Sequence, residues 1–173
     1  MKNIARLLLV LFCATSLTTA RAATILQDTQ ELRLQGTLDP TTRNGSSITL
    51  HGSWGYFFMD NVQAGGRIGF VNNDDVTSFD LGGYVEYNVD VGSEIVPFAE
   101  FFAGIANVDI DGTSGSDTAG IAELRAGAKY FLSEKLAIAA AGVFTYATED
   151  IYPDKNKLRN TDAFIELSLR YYF

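Results

Sequence analysis

Ten residues, Phe164-Ile-Glu-Leu-Ser-Leu-Arg-Tyr-Tyr-Phe173, constrain the fold of this chain more than any others. Side chains of an extended strand alternate with period two. Ile165, Leu167, Leu169, Tyr171 and Phe173 therefore share one face, and Phe164, Glu166, Ser168, Arg170 and Tyr172 share the other. One face is wholly apolar, while the other carries both signs of charge. A soluble sandwich strand can alternate in this way, but such a strand rarely ends on an exposed Phe.

The opposite end carries a different signal. Lys2 and Arg6 flank the start of an apolar run from Leu7 to Leu17, and Ala20-Arg21-Ala22 supplies the small residues of an A-x-A cleavage site. Residues 1–22 read as a cleaved signal peptide. The run is about 11 residues long, too short for a spanning helix, which needs about 20. The expectation is an exported single domain over residues 23–173 with no transmembrane helix. Cys13, the only cysteine, lies in the leader and follows Phe12 rather than the small residue of a lipoprotein signal. Once the leader is removed, disulfides, thiolate metal sites and cysteine nucleophiles are excluded.

Charge narrows the partners. Without Lys2, Arg6 and Arg21 the chain keeps 10 basic and 21 acidic residues, a net charge of −11 with His51 neutral. That excludes the basic footprint of a nucleic-acid binder. Abundant Gly, scarce Pro and aromatics that are nearly all Phe and Tyr suit many strands and few helices.

Eight period-2 stretches follow, separated by turn chemistry. They are Gln30–Leu38, Ser47–Phe58, Val62–Val71, Thr77–Val89, Val96–Val108, Ala119–Phe131, Leu136–Ala147 and the C-terminal strand. In the fifth, Glu100 fixes the polar face, which puts Ala99, Phe101, Ala103 and Ile105 on the apolar side and leaves Phe98 and Phe102 beside the glutamate. The seventh is Ala-rich and ambiguous; Leu136, Ile138, Phe144 and Tyr146 are assigned outward. Met59–Asn61, Asp90–Ile95 and Leu132–Lys135 read as tight turns, and Asp39–Ser46, Asn72–Val76, Asp109–Thr118 and Glu149–Asn160 as mostly longer polar loops. Aromatics gather before the tight turns, at Tyr56 to Phe58, Tyr87, Tyr130, Phe131 and Tyr171 to Phe173, as a lower girdle. Phe70, Phe79, Phe144, Tyr146 and Phe164 lie nearer an upper one. Tyr56-Phe-Phe-Met-Asp-Asn-Val62 and Tyr130-Phe-Leu-Ser-Glu-Lys-Leu136 reuse one hairpin recipe.

These hairpins, the Pro97-Phe98 start of the fifth strand and the Phe173 ending resemble the Gram-negative eight-stranded outer-membrane β-barrel family, of the OmpA transmembrane-domain and OmpX type (outer membrane protein beta-barrel domain). The resemblance covers the whole mature chain. It implies an all-β fold, an eight-stranded antiparallel up-and-down transmembrane barrel. It also implies a place in the bacterial outer membrane among its lipids and lipopolysaccharide. Leu167, Leu169, Tyr171 and Phe173 resemble the C-terminal signal read by the barrel-assembly machinery. No appended domain follows the barrel, so a peptidoglycan-anchoring role is not expected.

A closed barrel removes the unpaired edges that hydrocarbon penalises. With eight strands its interior is just wide enough for side chains to fill. The expected inward set is Glu31, Arg33, His51, Arg67, Asp80, Glu86, Glu100, Glu123, Arg125, Lys129, Glu166 and Arg170. Mixed charge at that density reads as a hydrogen-bonded ionic plug, because isolated buried charges are costly. His51 and Ser53 at i, i+2 invite a Ser-His-Glu arrangement completed by Glu86 or Glu100. Some outer-membrane barrel enzymes modify lipid A with such residues, but the deacylases carry the pair in the C-terminal half, facing lipid. A polar-core histidine is the better reading. Asp109–Asp117 resembles a calcium loop but has Gly120 where an EF-hand needs its last acidic ligand; it reads as a surface loop. No cofactor or metal is expected. The function expected is structural or surface interaction through the loops, without catalysis. A narrow pore or a lateral path for a small solute is the alternative, and a lipid A-modifying enzyme a weaker one. A soluble lipocalin-like binder would invert every strand.

Overall fold

The computed structural model describes residues 25–42, 45–72, 76–110, 116–154 and 157–173; the leader and Cys13 lie outside them. Eight strands close into one antiparallel barrel: β1 (Gln30–Thr42), β2 (Gly45–Met59), β3 (Val62–Asn72), β4 (Val76–Asn88), β5 (Ile95–Ile110), β6 (Ser116–Ser133), β7 (Leu136–Ala147) and β10 (Thr161–Tyr172). Each pairs with its neighbour in sequence, and β10 returns to β1. The short strands β8 (Tyr152–Asp154) and β9 (Lys157–Arg159) pair only with each other, in the connection from β7 to β10.

The registers fix the stagger. One row of paired residues runs from Gly36 through Leu50, Phe70 and Phe79 to Asn107 on β5. Followed the other way, through Leu167, Ala140 and Ala128, the same row reaches β5 at Pro97. The two ends lie ten residues apart on one strand, so the strands tilt steeply, at about 40° to the axis in barrels of this size. Pro97 sits one residue beyond the last β4 pair, Asn88↔Phe98, where its carbonyl still accepts from the Val89 N–H at 2.8 Å and its missing N–H costs the ladder only a bond at its very end.

Strand extents differ from the sequence expectation at the upper end. Pairing continues to Thr42↔Gly45, to Ile48↔Asn72 and Asn72↔Thr77, and to Asp109↔Ser116. Much of what reads as polar loop is therefore hairpin ladder, since Thr and Ser tolerate strand geometry. The calcium-like stretch is split by this ladder, with residues 111–115 outside the described ones. The loop Glu149–Asn160 contains the β8–β9 hairpin.

The repeated hairpin recipe folds twice in the same way. Pairing slips by one residue between Phe57 and Met59, and again between Phe131 and Ser133. Both bulges come after the aromatic residue, so alternation from Ser53 and from Lys129 sets its side. Phe57 is fully buried and Phe131 half-buried, both turned inward. This corrects the lower girdle: Phe57, Phe131 and Tyr172 leave the lipid face and enter the lumen. There Tyr172 lies between the two rings, 6.4 Å and 5.2 Å from their centroids, and with Ile25 and Ala137 they floor the barrel. Tyr56, Phe58, Tyr87, Tyr171 and Phe173 remain exposed on the outer face.

Ile25 reaches the floor because the segment before β1 is buckled to the β2–β3 turn. The Asn61 N–H donates to the Ile25 carbonyl at 2.8 Å, and the Ile25 N–H to Asn61 Oδ1 at 3.1 Å. Asn61 has φ +63°, a left-handed conformation that Asn tolerates. The upper lumen is apolar: Phe102, Val108, Ile121 and Ile151 cluster there, with Tyr152 packed against them. Burial at the root of the β8–β9 hairpin lifts the Tyr152 hydroxyl above its ordinary range.

One seam differs from the rest. β1 and β10 share six residue pairs, Glu31↔Tyr172 to Gly36↔Leu167. Every other seam has between eleven and fifteen.

Candidate functional site

Period-2 alternation, continued around a closed ring, turns one face of every strand into the lumen. All twelve expected inward residues lie there, each at most 6% exposed. They assemble into two ionic layers.

The lower layer centres on Glu31 of β1 and Glu86 of β4. Glu86 accepts from Lys129 Nζ at 2.6 Å, Arg170 at 2.6 Å, Arg33 at 3.1 Å and Gln63 at 2.7 Å. Glu31 accepts from Arg33 Nε at 2.8 Å, with Lys129 and Arg170 each at 3.4 Å. Asn88 adds a donor to Glu86 at 3.2 Å. Each charge is thus answered at short range, the condition under which a buried ion is tolerated.

The upper layer joins Asp80, Glu123 and Glu166 to Arg67, Arg125 and His51. Arg67 donates to both Glu123 oxygens, at 2.5 Å and 2.9 Å, and to Asp80 at 3.1 Å. Arg125 donates to Glu123 at 2.6 Å. Gln35 donates to Glu166 at 2.7 Å. Glu100 joins the layers: one of its oxygens accepts from Arg33 and the other from Arg125 at 3.1 Å.

Aromatic faces complete the cation contacts. The Arg67 guanidinium lies 3.5 Å from the centroid of Phe102, Arg33 lies 4.7 Å from Tyr84, and Arg170 lies 4.4 Å from Phe98. Lys129 stands within 6 Å of Phe57, Phe98 and Tyr172. The rings need room, and glycine provides it. A Cβ on Gly65 would meet the Tyr84 ring at 2.7 Å, and one on Gly82 would meet Phe102 at 2.5 Å.

The Ser-His-Glu arrangement does not assemble. His51 turns Nε2 toward Asp80 at 3.3 Å and Nδ1 toward Glu166 at 3.6 Å. Ser53 places its hydroxyl 3.5 Å from Gln35 Oε1. Glu86 and Glu100 have other partners, because β4 and β5 present them lower in the lumen than Asp80. Among the described residues no group of three or more His, Cys, Asp or Glu side chains is placed to hold a metal ion.

Reasoning from sequence left Gln35, Gln63 and Asn88 out of the network. Their inward parity was readable, but an amide has no charge to flag it. The rings of Tyr84, Phe98 and Phe102 as cation partners were likewise not anticipated. Leu167, Leu169, Tyr171 and Phe173 line the outer face of β10, all exposed.

The family model of the outer membrane protein beta-barrel domain matches residues 7–173. The N-terminal β-barrel domain of Pseudomonas aeruginosa OprF superposes with a TM-score of 0.62 at 19% identity, over 85% of this chain and 98% of that one. Neisserial surface protein A gives 0.56 at 15% identity, covering 83% and 93%. The outer membrane protein OprG from Pseudomonas aeruginosa gives 0.50 at 14%, covering 89% and 98%. These likenesses show the fold. No curated protein matches the sequence at a significant level.

Proposed function

Since the chain belongs to the outer membrane protein beta-barrel domain family and resides in the bacterial outer membrane, we propose that it is a non-enzymatic envelope protein whose lumen is plugged and whose upper hairpins meet the surroundings. The observation that carries this reading is the filled lumen. Two ionic layers joined at Glu100 lie between an aromatic floor and an apolar roof. Opening a path along the axis would separate several buried ion pairs at once, each costing a few kcal/mol once a partner is lost. With the axis blocked, what remains for contact is the apolar outer wall and the upper rim. Lipopolysaccharide around the rim and the assembly machinery at the β10 signal are the partners this reading expects, with residues 1–22 removed on export.

The test is single-channel recording of purified, folded protein in planar bilayers, beside a sample carrying Glu100→Gln and Arg67→Gln. Silence in both, from protein shown to be inserted, is the expected result. Steady conductance that shifts in the altered protein would make the chain a narrow pore and overturn the plug.

A further inference from the structure

The aromatic belt of the outer wall is heaviest on one side of its lower edge. Trp54, Tyr56 and Phe58 on β2 and Tyr171 and Phe173 on β10 are all exposed, and β1 between these strands brings them onto one wall. Gln30 and Phe173 exchange both backbone hydrogen bonds, at 2.9 Å and 3.0 Å, so the last residue of the chain lies beside the foot of β1. Tyr171 and Phe173 stack with their centroids 6.0 Å apart. Elsewhere Tyr87 and Tyr130 stand singly on β4 and β6, and β5 and β7 leave their lower turns with exposed Ile95, Ala99 and Ile138.

The segment entering β1 sets two polar groups among these rings. Asp28 has φ +69°, a left-handed conformation that Asp tolerates. Its N–H donates to the Phe57 carbonyl at 2.8 Å, while the Phe57 N–H donates to the Thr29 carbonyl at 2.9 Å. Clamped against β2 in this way, the exposed Asp28 carboxylate accepts from the Tyr56 hydroxyl on the lipid side of the wall. That donor is neutral, so the bond leaves the charge of the carboxylate uncancelled. Two residues on, Gln30 Oε1 accepts from the Trp54 indole N–H at 3.2 Å. An indole nitrogen can only donate, so the amide oxygen is the end held by Trp54 and the NH2 end is left to other acceptors.

Tyr and Trp on a lipid-facing wall sit at the level of the headgroups, which here are those of the periplasmic leaflet. A carboxylate at that level repels a purely anionic head and attracts an ammonium, which the ring faces of Tyr56 and Trp54 attract as well. The Gln30 NH2 supplies two donors for a phosphate next to that ammonium. The stacked rings of Tyr171 and Phe173, one strand over, offer a flat apolar surface to a chain. A free amine in the periplasm would engage only the first of these three features, whereas a phospholipid engages all of them.

We propose that the lower outer wall of β10, β1 and β2 binds one phospholipid of the periplasmic leaflet that carries a primary ammonium head. The ammonium donates to Asp28 against the faces of Tyr56 and Trp54, the phosphate accepts from Gln30, and a chain lies along Tyr171 and Phe173. The site rests on the membrane location and not on the plug, so conductance and lipid preference fail independently.

Trp54 is the only tryptophan of the chain, so its fluorescence reports on this wall alone. The test places the folded mature protein in vesicles of phosphatidylethanolamine and phosphatidylglycerol at equal mole fraction, with brominated chains on one lipid or on the other. The two preparations then differ only in which lipid carries the quencher. Stronger quenching by brominated phosphatidylethanolamine is expected, equivalent to at least about threefold enrichment beside Trp54. Asp28→Asn, whose side chain still accepts from Tyr56 and tolerates the left-handed backbone, should bring the two quenching levels together. Asp60→Asn, at the neighbouring turn where Asp60 accepts from the Gln27 N–H at 2.8 Å, should keep the preference. Equal quenching by both lipids in the native protein, or a preference that survives Asp28→Asn, overturns the site. Loss of the preference in Asp60→Asn as well would mean that the overall charge of the rim selects the lipid, and overturns it too.

Discussion

The two ionic layers use the same residue types and leave different kinds of atom without a hydrogen-bond partner. In the lower layer, no buried nitrogen or oxygen of Glu31, Arg33, Glu86, Lys129 or Arg170 lacks one, and the unpartnered atoms are neutral: Gln63 Oε1, Asn88 Oδ1 and the Tyr84 and Tyr172 hydroxyls. In the upper layer, four charged or basic side chains each leave one atom without a hydrogen bond: Arg67 Nε, Arg125 Nε, His51 Nδ1 and Glu166 Oε2, the last two facing each other at 3.6 Å with Arg125 at 3.5 Å from the Glu166 oxygen. The cause lies in what surrounds them. Gln63 and Asn88 bring amide donors to the lower carboxylates, whereas the upper layer meets an apolar roof and the short seam. Charges whose every buried atom is answered are the costlier to strand. The lower layer is where the barrel is most tightly fastened.

Substitution can break that contrast. Glu86→Gln should be the most damaging change, lowering stability by about 3–5 kcal/mol because it strands Lys129, Arg170 and Arg33 in the lumen. Urea unfolding of the protein inserted in lipid vesicles measures it. Asp80→Asn, at the edge of the upper layer, should cost about 1–2 kcal/mol in the same assay, since Arg67 keeps Glu123. Equal costs would erase the distinction between the layers. Gly65→Ala should lose about 1–3 kcal/mol by driving a methyl into Tyr84 and so displacing the ring under Arg33. Gly52→Ala, with nothing within 4 Å of the added Cβ, should stay within about 0.5 kcal/mol. A large effect at Gly52 would mean that strand flexibility, rather than ring packing, sets the cost at Gly65.

Period two carried most of the architecture into the sequence. The ambiguous seventh stretch settles as assigned, with Ile138, Phe144 and Tyr146 exposed and Ala137, Ala139 and Val143 buried. The fifth places Phe98 and Phe102 inside beside Glu100. What alternation could not supply was anything set by distance across the lumen. Phe57 and Phe131 keep the inward parity of Ser53 and Lys129 and floor the barrel, so grouping every aromatic near a tight turn into one girdle overrides what alternation itself says. Pairings such as Arg33 with Glu100, sixty-seven residues apart, depend on the stagger of the closed ring, which no local pattern encodes. The short seam was equally hidden, because the unpaired stretch of β10 alternates as cleanly as the paired one.

The mutual hydrogen bonds of Gln30 and Phe173 also set an order of events. Contacts between positions so far apart along the chain form late and slowly. Strands β1 to β7 can line up as successive hairpins from contacts local in the chain, but the ring cannot seal until β10 meets β1. Until then two unpaired edges persist. The final step joins six ladder pairs and the Gln30–Phe173 pair below them, fewer than any other seam among the described residues, so the slowest encounter is also the one with the least zipping left to do.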